Sequence, residues 1–184
     1  MVPKRLYNID CLGDGMTSKL EIFTPAGQAT LEHERMAYAL FENLYSGYVI
    51  KHTDKTLPAP YDGWIIRNVS QAIVGIVETK CRVDVNAYEF ATKYHNKWLL
   101  TETKLKIAAN HARLQRVPLF GFLFLVQGRV LMIKRLADSN GELVEYETKE
   151  MTTKANVNGG EAFRINAFID MTNCPPMQLP GVLL

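Results

Sequence analysis

The sequence predicts an α/β fold: a single domain with a central mixed β-sheet flanked by helices. Three observations carry that expectation. Ala37, Leu40, Phe41 and Leu44 recur at helical spacing. The run AIVGIV, residues 72–77, is almost unbroken in its apolar character, as suits a strand buried on both faces. Glycines, prolines and polar turns then cut the chain into the order helix, three strands, helix, two strands. That order calls for a sheet with helices packed on its faces.

Each element has its own reason. Residues 1–28 hold Gly13, Gly15, Pro25 and Gly27 and read as an irregular lead-in, with a short strand at 20–23. The first helix is expected over 29–46, stopped by Gly47. A strand follows at 48–52, and Pro58 to Pro60 makes a connection. Strands are expected at 61–67 and 72–82, and partial helix over 85–96. The segment 98–115 reads as one long helix with Trp98, Leu105, Ala108, Ala109 and Ala112 on its apolar face, closed by Pro118. Strands at 119–127 and 129–136 flank Gly128. Asn140-Gly141 marks a turn, with a polar strand at 143–148 and another strand at 163–169. The chain thus divides into a lead-in (1–28), a core (29–136) and a C-terminal hairpin and tail (137–184) packed on the same domain.

Bulk properties exclude several classes. At 184 residues, 47% hydrophobic and 22% charged, the chain can bury a real core and is neither disordered nor fibrous. A net charge of +2 is too mild to mark a nucleic-acid binder by itself. Cys11, Cys81 and Cys174 are odd in number and widely spaced, which argues against a disulfide framework and for a reduced, cytoplasmic setting. His33, His52, His95 and His111 show no zinc spacing. The opening residues MVPKRLYNIDCLGDG lack an apolar signal core, and the apolar run at 120–126 is too short to span a bilayer, so no membrane partner is expected.

The chemistry concentrates in APYDGWIIRNVSQAIVGIVETKCR. Asp62 opens one expected strand and Glu78-Thr79-Lys80 ends the next. Alternation along a strand puts Glu78 and Lys80 on one face and Thr79 on the other. If the strands are neighbours, Asp62 and Glu78 converge, and two carboxylates there suit a hard divalent cation. A lysine beside them can orient water or stabilise charge on a transferring phosphate. The chemistry this suits is phosphodiester hydrolysis.

Glu-Thr-Lys occurs three times, at 78–80, 102–104 and 147–149. In a helix, positions i and i+2 point about 200° apart, so the copy at 102–104 cannot aim both groups at one ion. The copy at 147–149 falls in a polar strand, a solvated edge. Only the first follows a buried-type strand. Lys97, Lys104, His111 and Gln115 fall on one stripe of the expected helix, and Lys104 is its best candidate for the site or a phosphate. Arg82 and Lys97 are further candidate phosphate contacts. Cys81 points away from Lys80 and reads as packing, not as a nucleophile.

Asp62, a spacer, and an apolar strand ending in Glu78-x-Lys80 resemble the PD-(D/E)XK nucleases, over roughly residues 30–136. One residue, Tyr61, separates Pro60 from Asp62 where that family has an adjacent pair. The resemblance implies a restriction-endonuclease-like fold, with a mixed sheet flanked by helices and the first helix preceding the motif strands. It implies Asp62, Glu78 and Lys80 as catalytic residues. Mg2+ or Mn2+ would be held by Glu34, Asp62, Glu78 and the Thr79 backbone carbonyl. The implied activity is a Mg2+-dependent deoxyribonuclease acting in repair, recombination or phage and defence DNA processing, in a bacterial or phage-infected cell. DNA is the expected partner, with a homo-oligomer or protein partner as a source of specificity. The string VETKCR is similar to that of phage-type recombination exonucleases. The alternative is a catalytically silent nucleic-acid-binding or assembly module on the same fold.

Overall fold

The structure, a computed structural model, describes residues 23–55, 59–153 and 162–179. Its elements run α1 (Pro25–Leu44), β1 (Tyr48–His52), β2 (Gly63–Arg67), β3 (Ile73–Arg82), α2 (Ala87–Thr92), β4 (Lys97–Thr101), α3 (Glu102–Gln115), β5 (Leu119–Leu125), β6 (Val130–Ala137), β7 (Glu147–Thr153) and β8 (Ala162–Asp170). The chain is α/β, as the sequence predicts, but it builds two sheets. One is five-stranded and mixed, in the order β1-β2-β3-β5-β6, and the other is three-stranded, in the order β4-β8-β7.

The large sheet begins as an antiparallel meander, β1 to β2 to β3. β5 then returns parallel to β3, with Glu78 opposite Gly121 and Lys80 opposite Leu123, and β6 pairs antiparallel to β5. A parallel neighbour needs a long crossover, and the stretch from α2 through α3 supplies it. Side-chain alternation divides β3 between two cores. Val77 faces α1, packing with Ala37, Tyr38, Leu40, Phe41, Phe122 and Phe124. Ile76 faces the other side, with Leu105, Ala108 and Ala112 of α3, Trp98 of β4 and Ile169 of β8. The middle of β3, Gly75 to Val77, is therefore covered on both faces, which fits the nearly unbroken apolar run that leads into Glu78.

Three expectations need correction. The helix expected at 29–46 starts earlier, at Pro25, because Thr24 caps it: its side chain accepts from Gly27 N at 3.0 Å, and proline suits the first helical position. The segment expected as one helix over 98–115 is a strand followed by a helix. Trp98 and Leu100 are buried while Lys97, Leu99 and Thr101 are less so, which is the period of a strand, and the helix begins only at Glu102. The polar strand expected at 143–148 is reduced to a single bridge between Ala137 and Leu143, and the ladder with β8 runs over Glu147–Thr153. The short strand expected at 20–23 lies outside the described residues except for Phe23.

The C-terminal stretch folds onto the same body. Ala167, Ile169, Met171 and Cys174 join the core beneath α3, and Met177 bridges to Leu131 of β6. Cys81 and Cys174 are free thiols. Among the described residues, no helix is long and apolar enough to cross a membrane.

Candidate functional site

β2 stops pairing with β3 at Gly63 opposite Val77, so the end of β3 beyond Val77 has no backbone neighbour on that side. Asp62 fills the gap with its side chain. Its N–H still donates to Val77 O at 2.8 Å, and its Oδ2 accepts from Thr79 N at 2.7 Å. The carboxylate takes the place the next carbonyl of the ladder would have held, which satisfies an otherwise orphaned buried donor. Gly63 is required beside it, because a Cβ there would stand 2.9 Å from Lys51 O.

Glu78 and Lys80 share the face of β3 that looks towards α3. Asp62 and Glu78 are both buried, at 7% and 4% exposure, while Lys80 is exposed. Thr79 faces α1, where its Oγ1 and Tyr38 OH lie 2.9 Å apart in a hydrogen bond. Glu34, one turn before Tyr38 on α1, is also buried. Glu34, Asp62, Glu78, Thr79 and Lys80 line one open cleft of about 480 Å3, whose walls include the first turns of α1, the end of β3, β4 and the start of α3, with Tyr38 behind it.

Two lysines stand among the acids. Lys55 Nζ lies 2.7 Å from Asp62 Oδ1 and 3.0 Å from Glu34 Oε2. Lys104 Nζ lies 2.5 Å from Glu78 Oε1 and 3.6 Å from Asp62 Oδ1. The result is an alternating chain of charge, Glu34, Lys55, Asp62, Lys104, Glu78. Asp62 and Glu78 thus come within reach of one ammonium group.

Burial and charge set the proton affinities. Burial pushes Glu78 up, the neighbouring Asp62 charge adds to this, and Lys104 only partly offsets them, leaving Glu78 at about 8. Glu34 is raised by the same two causes, burial and then Asp62. Burial also pushes Asp62 upward, but Lys104, Lys55 and the Thr79 N–H together outweigh it and hold that carboxyl below its usual range. Lys104 is raised, since Glu78 and Asp62 outweigh the burial that lowers it. The Cys81 thiol, at the cleft wall, is pushed to about 12 by burial and by Glu34 and Asp62. It carries almost no thiolate at neutral pH.

The structure therefore brings together Glu34, Asp62, Glu78, Thr79, Lys80 and Lys104 of the residues singled out from the sequence. Lys97 stands elsewhere. It belongs to β4 rather than to a stripe of α3, and its Nζ pairs with Glu147 at 3.0 Å and Asp170 at 4.0 Å in a separate cleft. Arg82 ends β3, half-buried, beyond the residues that line the cleft. Sequence reasoning missed Lys55 and Tyr38. Tyr38 had a usable signal, since it sits one turn from Glu34 on the same helical face. Lys55 lies in a turn and belongs to no periodic pattern.

The donors fit a hard cation in kind, being the carboxylate oxygens of Glu34, Asp62 and Glu78. Glu78 Oε2 is buried and makes no hydrogen bond, whereas the buried Glu34 Oε2 has the Lys55 ammonium 3.0 Å away. Among the described residues, no three His, Cys, Asp or Glu side chains already stand as a metal cage, and the lysines hold the intervening positions. Compared with known protein families, with curated proteins and with solved structures, the chain matches none.

Proposed function

We propose that this protein is a metal-dependent nuclease that hydrolyses DNA phosphodiester bonds, with Asp62, Glu78 and Lys80 as its catalytic residues. The observation that carries the reading is the meeting of Asp62 and Glu78, from neighbouring strands, at one cleft with Lys80 on Glu78's face. Buried carboxylates are costly unless they are paired or used. Here three are gathered around one opening. The restriction-endonuclease-like fold belongs to the same proposal: α1 precedes the motif strands and a mixed sheet lies between helices.

Each residue has a role in this reading. Asp62, Glu78, Glu34 and the Thr79 carbonyl would hold Mg2+ or Mn2+. When bound, the ion would supply Lewis acidity towards a phosphate oxygen and favour ionisation of the attacking water. The exposed ammonium of Lys80 orients that water or neutralises charge that develops on the phosphate. Water gives up a proton as its oxygen bonds to phosphorus, one P–O ester bond breaks, and the departing oxygen takes a proton in return, so that the net reaction consumes one water. The Tyr38–Thr79 hydrogen bond and the Thr79–Asp62 hydrogen bond hold the carboxylate in place from behind. Lys104 and Arg82 are candidate phosphate contacts. Lys97, tied to two acids, is a weaker one.

A cleavage panel tests the reading. Linear, circular, single-stranded and branched DNA, and RNA, are incubated with Mg2+, Mn2+, Ca2+ or chelator. Cleavage with Mg2+ or Mn2+ that is lost on chelation supports it. DNA binding without cleavage on every substrate would favour the silent binding module instead.

A further inference from the structure

We infer that Lys55 is a built-in competitor of the divalent cation: its ammonium group occupies the position between Glu34 and Asp62, and it must leave before an ion bridges those two residues. The inference rests on the metal-site reading above and deepens it.

The geometry distinguishes Lys55 from its neighbour Lys104. Lys55 Nζ touches both carboxylates at 2.7 and 3.0 Å, so a single cation bridges a residue of α1 and one of the sheet. Its side chain is only 18% exposed, against 42% for Lys104, so the ammonium sits among the acids and does not graze them from solvent. An ammonium group and a hard divalent ion seek the same thing, several carboxylate oxygens at close range. Both cannot occupy one position.

The backbone permits exchange at Lys55 and resists it at Lys104. Lys104 is rooted in the first turns of α3, whose Leu105 and Ala108 are fully packed. Lys55 sits in a turn, outside any helix or strand. The start of that turn is pinned two residues earlier, where Thr53 N and Oγ1 donate to Asp62 O at 3.0 and 3.1 Å. The anchor holds the turn to the sheet while the lysine side chain can swing outward without breaking a ladder. Exchange raises the charge between Glu34 and Asp62 by one unit, because a doubly charged ion takes the place of a singly charged ammonium that moves outward.

The consequence is a metal affinity set partly by the protein's own cation. With Lys55 in place the acids are already compensated, and an incoming ion gains only the difference between its contacts and those it displaces. Without Lys55, Glu34 loses its ammonium partner and Asp62 keeps only Lys104 and the Thr79 N–H, so the two hold the ion more tightly.

Calorimetric titration with Mn2+ of the wild type, Lys55→Met and Lys55→Arg tests this, with melting temperatures measured with and without the ion. Lys55→Met should bind Mn2+ about tenfold more tightly than the wild type, and Lys55→Arg should not. Lys55→Met should melt lower without the ion and recover with it. If the wild type binds and Lys55→Met binds equally or more weakly, the competitor role is overturned and the metal site stands. If neither binds, the metal reading fails and the inference with it. Should Lys55→Met not fold, the wild type labelled with 15N-lysine answers directly. Loss of the protected Lys55 ammonium signal as Mg2+ is added supports exchange, and a signal unchanged at saturation overturns it.

Discussion

Lys104, the lysine of one Glu-Thr-Lys triplet, holds the glutamate of another: its Nζ lies 2.5 Å from Glu78 Oε1. Removing it leaves a buried carboxylate with less compensation. Lys104→Met should lower stability by about 1–3 kcal/mol, less than for a fully buried pair because the lysine is half in solvent. Adding Glu78→Gln should restore most of the loss. A double-mutant cycle by chemical denaturation measures the coupling, and additive effects would count against the pair.

The proton affinity of Glu78 makes stability depend on pH in an unusual direction. Its carboxyl is held near 8, above the ordinary 4.5, so the folded state prefers the protonated form. That contribution is complete below about pH 4.5 and is lost as the pH rises through 8. Glu78→Gln, neutral throughout, should melt higher than the wild type at pH 8–9 and converge with it near pH 5. Asp62 works the other way. Its carboxyl is lowered, so its stabilisation is present above 3.8 and lost as the pH falls through its folded value. Asp62→Asn should therefore destabilise at neutral pH. Melting curves of both variants from pH 4 to 9 check the two signs.

Gly121, opposite Glu78 in the parallel ladder, leaves room for the fully buried Trp98 ring. A methyl group there would run into that ring and stand 2.8 Å from Leu136 Cδ1. Gly121→Ala should destabilise by about 1–3 kcal/mol through overpacking, with a change in tryptophan emission. An unchanged melting temperature would show that Trp98 has room to move.

Activity separates the triplets. Lys80→Ala should slow DNA cleavage by about 10²-fold or more, as for loss of a preorganised charge. Lys149→Ala, on the exposed strand β7, should leave it unchanged. Equal rates in the two variants would place the catalytic lysine elsewhere.

The large sheet was legible because its strands announce themselves. Gly75, Ile76 and Val77 of AIVGIV are buried, though Ile73 at its start is exposed, and Glu78 and Lys80 share a face as alternation requires. The second sheet was not legible. Trp98 and Leu105 fit a helical face as well as they fit the end of a strand followed by a helix, and only pairing with β8 decides between them. Asp62 and Glu78 could be placed together from the hairpin-like order of their strands. Lys55 could not, because a turn side chain has no period and its position depends on how the chain closes back to Asp62. Lys104 was placed as a candidate for the right helix, but its direct hold on Glu78 depends on where α3 begins.

The parallel pairing of β3 with β5 fixes when the cleft can come into being. A meander of β1, β2 and β3 is local and can close early, placing Asp62 beside Glu78. Lys104 arrives only when the long crossover has run its length and α3 has settled on the sheet, a closure that is slow because it joins distant parts of the chain. Until then two acids face each other with one of their counter-charges missing. The charge balance of the cleft therefore waits on α3, and a chain stopped before α3 would have the acidic pair without Lys104.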